Sequence, residues 1–349
     1  MKNILSFTPQ ELSELLISLG EPKFRAEQIF TQLHKGISVG EMTNVGKATK
    51  EKLAASADLS FPTVKRKLCS QIDGTVKYLF ELSDGNCVES VVMKYEHGYT
   101  ICVSTQVGCR MGCRFCASTV AGRVRDLEAG EILGQIISAQ RDLALRISNV
   151  VMMGIGEPLD NYENVVRFLT LVNLPEGINI GYRHISLSTC GIVPKIYELA
   201  KLNLPITLSV SLHAADDASR SEIMPVNNAW GISELLDACR DYYKATERRI
   251  SFEYTLISGK NDTRQNALAL AEILNRKLRG RNDSMPIHVN LIPVNEVTES
   301  GFKSSDKKAV RLFASVLEEK GIRATVRRTL GADINASCGQ LRREEGQAN

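Results

Sequence analysis

The chain has 349 residues, 43% hydrophobic and 24% charged, with a formal net charge of +3. That is ordinary for a soluble globular protein of one large domain with appendages, or of two domains. No apolar run reaches the roughly 18 residues of a membrane span. The N-terminus also lacks the apolar core and cleavage site of a signal peptide, so the cytoplasm is the expected compartment.

Nine cysteines occur, at positions 69, 87, 102, 109, 113, 116, 190, 239 and 338. An odd number without a signal peptide argues against a disulfide scaffold. Basic clusters stand at Lys65-Arg66-Lys67, Arg123/Arg125, Arg276-Lys277/Arg279/Arg281, Arg327-Arg328 and Arg342-Arg343. Each alone is most simply a solvated face; together they fit a polyanion partner.

In chain order, residues 1–60 read as helical. Thr8-Pro9-Gln10-Glu11 forms a capping box, with Pro9 at the first helical position and Gly20 at the far end. A second helical pattern stops at Gly36, and a third is expected near 47–55. Residues 61–98 change to β-like runs separated by Asp73-Gly74, Asp84-Gly85 and His97-Gly98, the pattern of an antiparallel meander. Six strand-like runs then follow, at 99–105, 149–153, 184–189, 206–212, 250–257 and 287–292, separated by helix-like runs. This alternation implies a parallel α/β architecture, either a six-stranded partial barrel or a doubly wound sheet. From 298 a helix, a strand and a polar tail complete the chain.

Three cysteines fall within eight residues, as Cys109-Arg-Met-Gly-Cys113-Arg-Phe-Cys116. A zinc finger needs four ligands in two knuckles, and no matching pair follows. Bacterial ferredoxins use a different spacing and a fourth cysteine. Three thiolates on one loop can hold a 4Fe–4S cluster with one iron left open to a small molecule. Polar residues also collect at the C-terminal ends of the later strands: Gly154-Ile-Gly156-Glu157-Pro158, Ser188, Ser211-Leu212-His213 and Asn295. Each has a plain alternative, His213 as a hydrogen-bonded structural histidine and Met152-Met153 as core. Pro158 rules out a dinucleotide fingerprint.

The cysteine spacing after a strand resembles the radical S-adenosylmethionine superfamily. Over residues 7–341 the chain is further similar to its adenine-C2 RNA methyltransferases of dual specificity. The resemblance is carried by Gly20-Glu-Pro-Lys-Phe-Arg25, Val88-Glu89-Ser90, Cys102-Val-Ser-Thr-Gln-Val-Gly-Cys109, Met153-Gly-Ile-Gly-Glu-Pro158, Ser211-Leu-His213, His288-Val-Asn-Leu-Ile-Pro293 and Ala336-Ser-Cys-Gly-Gln-Leu341. It implies an α/β fold: a six-stranded partial (β/α) barrel over 99–297, with a helical accessory domain for RNA at 1–60, a β linker at 61–98 and a C-terminal extension at 298–349.

It also implies a 4Fe–4S cluster on Cys109, Cys113 and Cys116. S-adenosylmethionine, used twice per turnover, would contact Gly156, Glu157, Ser188, Ser211, Leu212, His213 and Asn295. The implied substrates are adenosine 2503 of 23S rRNA and adenosine 37 of tRNA. The implied electron donor is flavodoxin or ferredoxin, and the implied state is a monomer.

The chemistry explains the parts. Adenine C2 is electron-poor and does not attack a methyl sulfonium, whereas a thiolate does. By resemblance, Cys338 becomes S-methylated and a deoxyadenosyl radical takes hydrogen from that methyl group. The methylene then adds to C2. Glu89 acts as proton acceptor, and Cys102 releases the product by forming a disulfide with Cys338. Asn335, Ser337 and Cys190 stand where relatives commonly carry Asp, Ala and Ser. The remaining alternatives are a C8 methyltransferase of the same adenosine and a non-catalytic iron–sulfur RNA-binding protein.

Overall fold

The computed structural model describes residues 1–279, 285–294 and 301–334. Three helices open the chain: α1 (Pro9–Ser18), α2 (Phe24–His34) and α3 (Lys47–Ser56). The expected capping box is present: the Glu11 amide donates to Thr8 Oγ1 at 3.2 Å, and the Thr8 amide to Glu11 Oε2 at 2.8 Å. Arg167, on a later helix, closes on the same Glu11 carboxylate from 2.6 Å and so anchors this unit to the rest of the molecule.

The meander follows as β1 (Thr63–Cys69), β2 (Val76–Glu81), β3 (Cys87–Tyr95) and β4 (Gly98–Cys102). It is continuous with the parallel array. The order is β1-β2-β3-β4, then β7 (Ile147–Met152), β8 (Ile185–Thr189), β9 (Thr207–Ser211), β10 (Ile250–Leu256), β11 (Ile287–Pro293) and β12 (Arg323–Val326). From β4 onward every pairing is parallel. The six expected barrel strands are therefore adjacent and in order. The strand expected in the C-terminal extension adds a seventh on their far edge.

A short hairpin that the periodicity did not signal, β5 (Gln106–Gly108) with β6 (Arg123–Asp126), brackets the cysteine loop. After a single 3-10 turn at Ala117–Thr119, the cysteine loop thus returns through β6 before an α-helix begins. The helices are α4 (Ala129–Leu143), α5 (Tyr162–Asn173), α6 (Val193–Lys201), α7 (Asp217–Ile223), α8 (Ile232–Thr246), α9 (Arg264–Leu278) and α10 (Lys307–Glu319).

Strand alternation sorts the two faces of the sheet. On β10, Ile250, Phe252, Tyr254 and Leu256 join the main hydrophobic core. Ser251, Glu253 and Thr255 alternate with them and join a polar interior. There Asn290 Nδ2 donates to Glu253 Oε2 at 2.7 Å, and Ser251 Oγ to Glu253 Oε1 at 2.9 Å. His288 bonds Ser251 and Thr325 through its two ring nitrogens, at 3.1 and 3.0 Å. A polar-lined interior at the carboxyl ends of parallel strands is where this architecture places ligands.

Candidate active site

One cavity at the strand ends, of about 200 Å³, is lined by Cys109, Cys113 and Cys116 together with Gly156, Glu157, Ser188, Ser211 and His213. Most of the predicted cofactor residues therefore share one space. Leu212 lies beneath it, its side chain in the main core and its amide donating to the Glu253 carbonyl at 3.0 Å. Asn295 and Cys338, with Asn335 and Ser337, lie outside the described residues.

The cysteine loop is held by its own backbone and by neighbours. The Cys116 amide donates to the Cys113 carbonyl at 3.1 Å, and Thr119 Oγ1 donates to the Cys116 carbonyl at 3.0 Å. Arg110 Nε reaches Asp160 Oδ2 at 3.0 Å, and Gln106 Nε2 bonds the same oxygen at 3.0 Å. Those bonds lower the Asp160 pKa although burial opposes its ionisation. Burial pushes the Cys109 thiol up to about 12 and raises Cys113 further, with the neighbouring thiols adding to both.

Among the described residues no three His, Cys, Asp or Glu side chains gather tightly enough for a single metal ion. Three thiols share one cavity wall with no fourth cysteine in the motif, a donor set whose chemistry suits a polynuclear cluster with an open corner.

Gly154 and Gly156 answer to packing. A Cβ on Gly154 would sit 2.5 Å from the Val103 carbonyl oxygen, and one on Gly156, at φ +108°, 2.7 Å from Gln106. The Gly-x-Gly therefore serves close backbone approach to the segment before the cysteines. This turns Glu157 into the cavity wall, where its carboxylate accepts the Cys190 amide at 2.7 Å and the Leu159 amide at 3.0 Å. Burial raises its pKa and these bonds counter the rise.

His213 has φ 57° and is 3% exposed. Its Nδ1 accepts the Thr255 amide at 2.9 Å, so in the neutral ring the proton sits on Nε2. Burial pulls its pKa down to about 3, so it is neutral in the working range. The structural alternative for this residue is realised, and it lines the cavity as well.

A second cavity, of about 180 Å³, is lined by Glu89 and Cys102 and shares Met153, Gly154, Ile292 and Arg327 with the first. Glu89 is 2% exposed, and its carboxylate lies 3.1 Å from Nζ of Lys77, which has no exposed surface. The Glu89 carbonyl accepts Ser104 Oγ at 2.6 Å, and Gln135 ties Ser90 to Ser104 by bonds of 2.8 and 2.9 Å. Cys102 pairs with Val91 across β3 and β4. Burial raises its pKa, and the Arg327 guanidinium pulls it back.

The C-terminal extension is tied down beside this second cavity. Ser70 Oγ and the Gln71 amide donate to the Asp333 carboxylate at 2.7 and 2.8 Å, and the Gly331 amide donates to Asp73 Oδ2 at 2.8 Å. Leu330 packs on Val91, Met93 and Cys102.

Several residues of this region gave no signal in the sequence. Lys77 reads as one strand lysine among many, and Arg220 and Glu253 belong to no motif. Cys190, which the sequence marks only as a departure from its relatives, lines the first cavity. The Arg123/Arg125 cluster is consumed internally, Arg125 pairing with Asp84 and Glu131 and Arg123 with Asp126. Arg327 and Arg328 are exposed and line the second cavity.

Comparison with known proteins places two family models on the chain. The model for the radical SAM superfamily matches residues 103–271, and that for the ribosomal RNA large subunit methyltransferase N-terminal domain matches residues 2–59. The chain is 53% identical over 345 residues to the "Probable dual-specificity RNA methyltransferase RlmN" of Clostridium novyi (strain NT), covering 98% of both. It is 52% identical to the protein of the same name from Clostridium botulinum (strain Eklund 17B / Type B), covering 98% of this chain and 97% of the relative. A crystal structure of a radical SAM methyltransferase from Sphaerobacter thermophilus superposes with a TM-score of 0.91 at 40% identity, over 97% of this chain and 99% of that one.

Proposed function

The chain belongs to the dual-specificity RNA methyltransferases of the RlmN type within the radical SAM superfamily, and from that premise we propose that it methylates C2 of adenine in 23S rRNA and in tRNA through an S-methylated Cys338. The observation that carries the residue assignment is the pair of cavities meeting at Met153, Gly154, Ile292 and Arg327. One cavity offers thiols and strand-end polar groups; the other offers a carboxylate and a buried thiol.

When bound, a 4Fe–4S cluster and S-adenosylmethionine supply one-electron cleavage of the sulfonium, and a methyl group for the protein's thiol. Cys109, Cys113 and Cys116 would hold the cluster. Glu157, with its carboxylate oxygens in the cavity wall, suits the ammonium of the methionyl group. Ser188, Ser211 and His213, whose Nε2 carries the proton of the neutral ring, suit its polar remainder, with Gly156, Leu212 and Asn295 completing the set that the resemblance implies. In the second cavity Glu89 would accept the proton from C2. Cys102 would attack the Cys338 sulfur to release the product.

Anchoring of residues 331 and 333 favours this division of labour. Cys338 follows Asp333 by five residues, a reach of at most about 18 Å. The helices of residues 1–60 and the meander of 61–98 are assigned to holding the RNA around the mouth, with the target base unstacked. Among the described residues no helix is long and apolar enough to cross a membrane. A cytoplasmic enzyme fed by flavodoxin or ferredoxin suits an RNA substrate.

Anaerobic reconstitution with iron and sulfide tests the reading. With dithionite and S-adenosylmethionine the protein should release 5′-deoxyadenosine, and a Cys113→Ala variant should not. A fully reconstituted protein that releases none contradicts the assignment.

A further inference from the structure

Arg220 is the largest fully buried side chain among the described residues, with no exposed surface. It lies on α7, a helix joined to the cysteine loop where the Arg114 amide donates to the Ile223 carbonyl at 3.0 Å. All of its acceptors are neutral. Nε donates to the Leu212 carbonyl at 3.1 Å, Nη2 to the carbonyls of Cys190 at 2.7 Å and Ser211 at 3.0 Å, and Nη1 to Asn227 Oδ1 at 2.9 Å. Among the described residues no carboxylate forms an ion pair with it. Asp217 is one step removed, accepting Asn227 Nδ2 at 3.1 Å.

Structural burial alone does not require a charge here. A guanidinium in such a place costs desolvation, and a carboxylate beside it is the usual compensation. Its pKa is lowered by burial, while Cys190, Cys113, the more distant Asp217 carboxylate and Cys239 act on it in the opposite sense. An arginine nevertheless stays protonated. The positive charge therefore stands behind the cavity wall, directed through carbonyls of two cavity residues, with anionic thiolates opposite once a cluster binds.

We propose that Arg220 is the fixed positive charge of this cavity, locking the ends of β8 and β9 together and biasing the bound cluster toward its one-electron-reduced form. The inference rests on the cluster assignment above. Reduction adds one electron from an external one-electron donor and makes the cluster with its three thiolates one unit more negative. Arg220 exchanges neither proton nor electron. A nearby cation in low dielectric favours the more negative state. Arg220 is thus a positioning residue whose effect is read in a potential.

The test is an EPR-monitored reductive titration of the reconstituted full-length protein without RNA, comparing wild type, Arg220→Gln and Arg220→Lys. For Arg220→Gln the reduction equilibrium should fall by about tenfold, equivalent to about 59 mV in a one-electron couple. Arg220→Lys should stay near wild type.

A paired exchange, Asp217→Asn with Asn227→Asp, moves the carboxylate against Nη1 and should shift the midpoint in the same direction as Arg220→Gln. An unchanged midpoint in Arg220→Gln overturns the inference, as does an equal shift in Arg220→Lys. If Arg220→Gln fails to fold, an unchanged midpoint in the paired exchange overturns it. A wild type that binds no cluster instead defeats the functional reading itself.

Discussion

Lys77 has no surface, and its ammonium faces a carboxylate that the proposed chemistry needs. Removing one member of a buried pair strands the other's charge, at a typical cost of 3–5 kcal/mol. Lys77→Met should therefore lower the unfolding free energy by roughly that amount in urea titrations, and Lys77→Arg by clearly less. Equal stability of Lys77→Met and wild type would remove the pair from the account.

His34 is the second case. It stacks on Phe30 at 4.1 Å, and both its ring nitrogens are buried without a hydrogen-bond partner among the described residues. Burial pulls its pKa from 6.5 down to about 4. The folded state then resists protonation that the unfolded state accepts. Its contribution is full above pH 6.5 and is lost as the pH falls toward about 4. Between pH 7.5 and about 5 this amounts to about 2 kcal/mol. Urea titrations should find wild type losing that much more stability than His34→Leu over the interval, and parallel losses would contradict it.

At the scale of elements, the extension after α10 matters most. β12 pairs with β11, and the chain then runs to Gly331 and Asp333, which bond the β1–β2 turn. A meander and a tail more than 250 positions apart meet beside the cavity holding Cys102. Asp333→Ala should reduce RNA methylation several-fold and leave S-adenosylmethionine affinity unchanged, since the first cavity is untouched. A parallel loss of that affinity, measured by equilibrium binding, would contradict the division between the two cavities.

The elements were largely legible in the sequence because their signals are local. Thr8-Pro9-Gln10-Glu11 states its cap, and the strand alternation of residues 250–256 states both faces. The β5–β6 hairpin was not legible: three and four residues carry too little periodicity to separate a strand from a loop.

Across the whole molecule, one ten-stranded sheet joins the meander to the parallel strands. The cavity at the strand ends could be anticipated from polar residues ending successive strands, since parallel connections bring those ends together. The second cavity could not, because it forms between the meander and the tail, and no local pattern reports such a long-range meeting. Arg220 and Lys77 escaped for a related reason. A buried charge differs from a surface charge only in what folds around it.

If these cavities serve methyl transfer to C2 of adenine, the product carries the mark at that carbon. Mass spectrometry of digested 23S rRNA and tRNA, from cells whose only such enzyme is this chain, tests it most directly. The wild type should yield 2-methyladenosine and Cys338→Ala none. Finding 8-methyladenosine instead, or 2-methyladenosine undiminished in the variant, would contradict it.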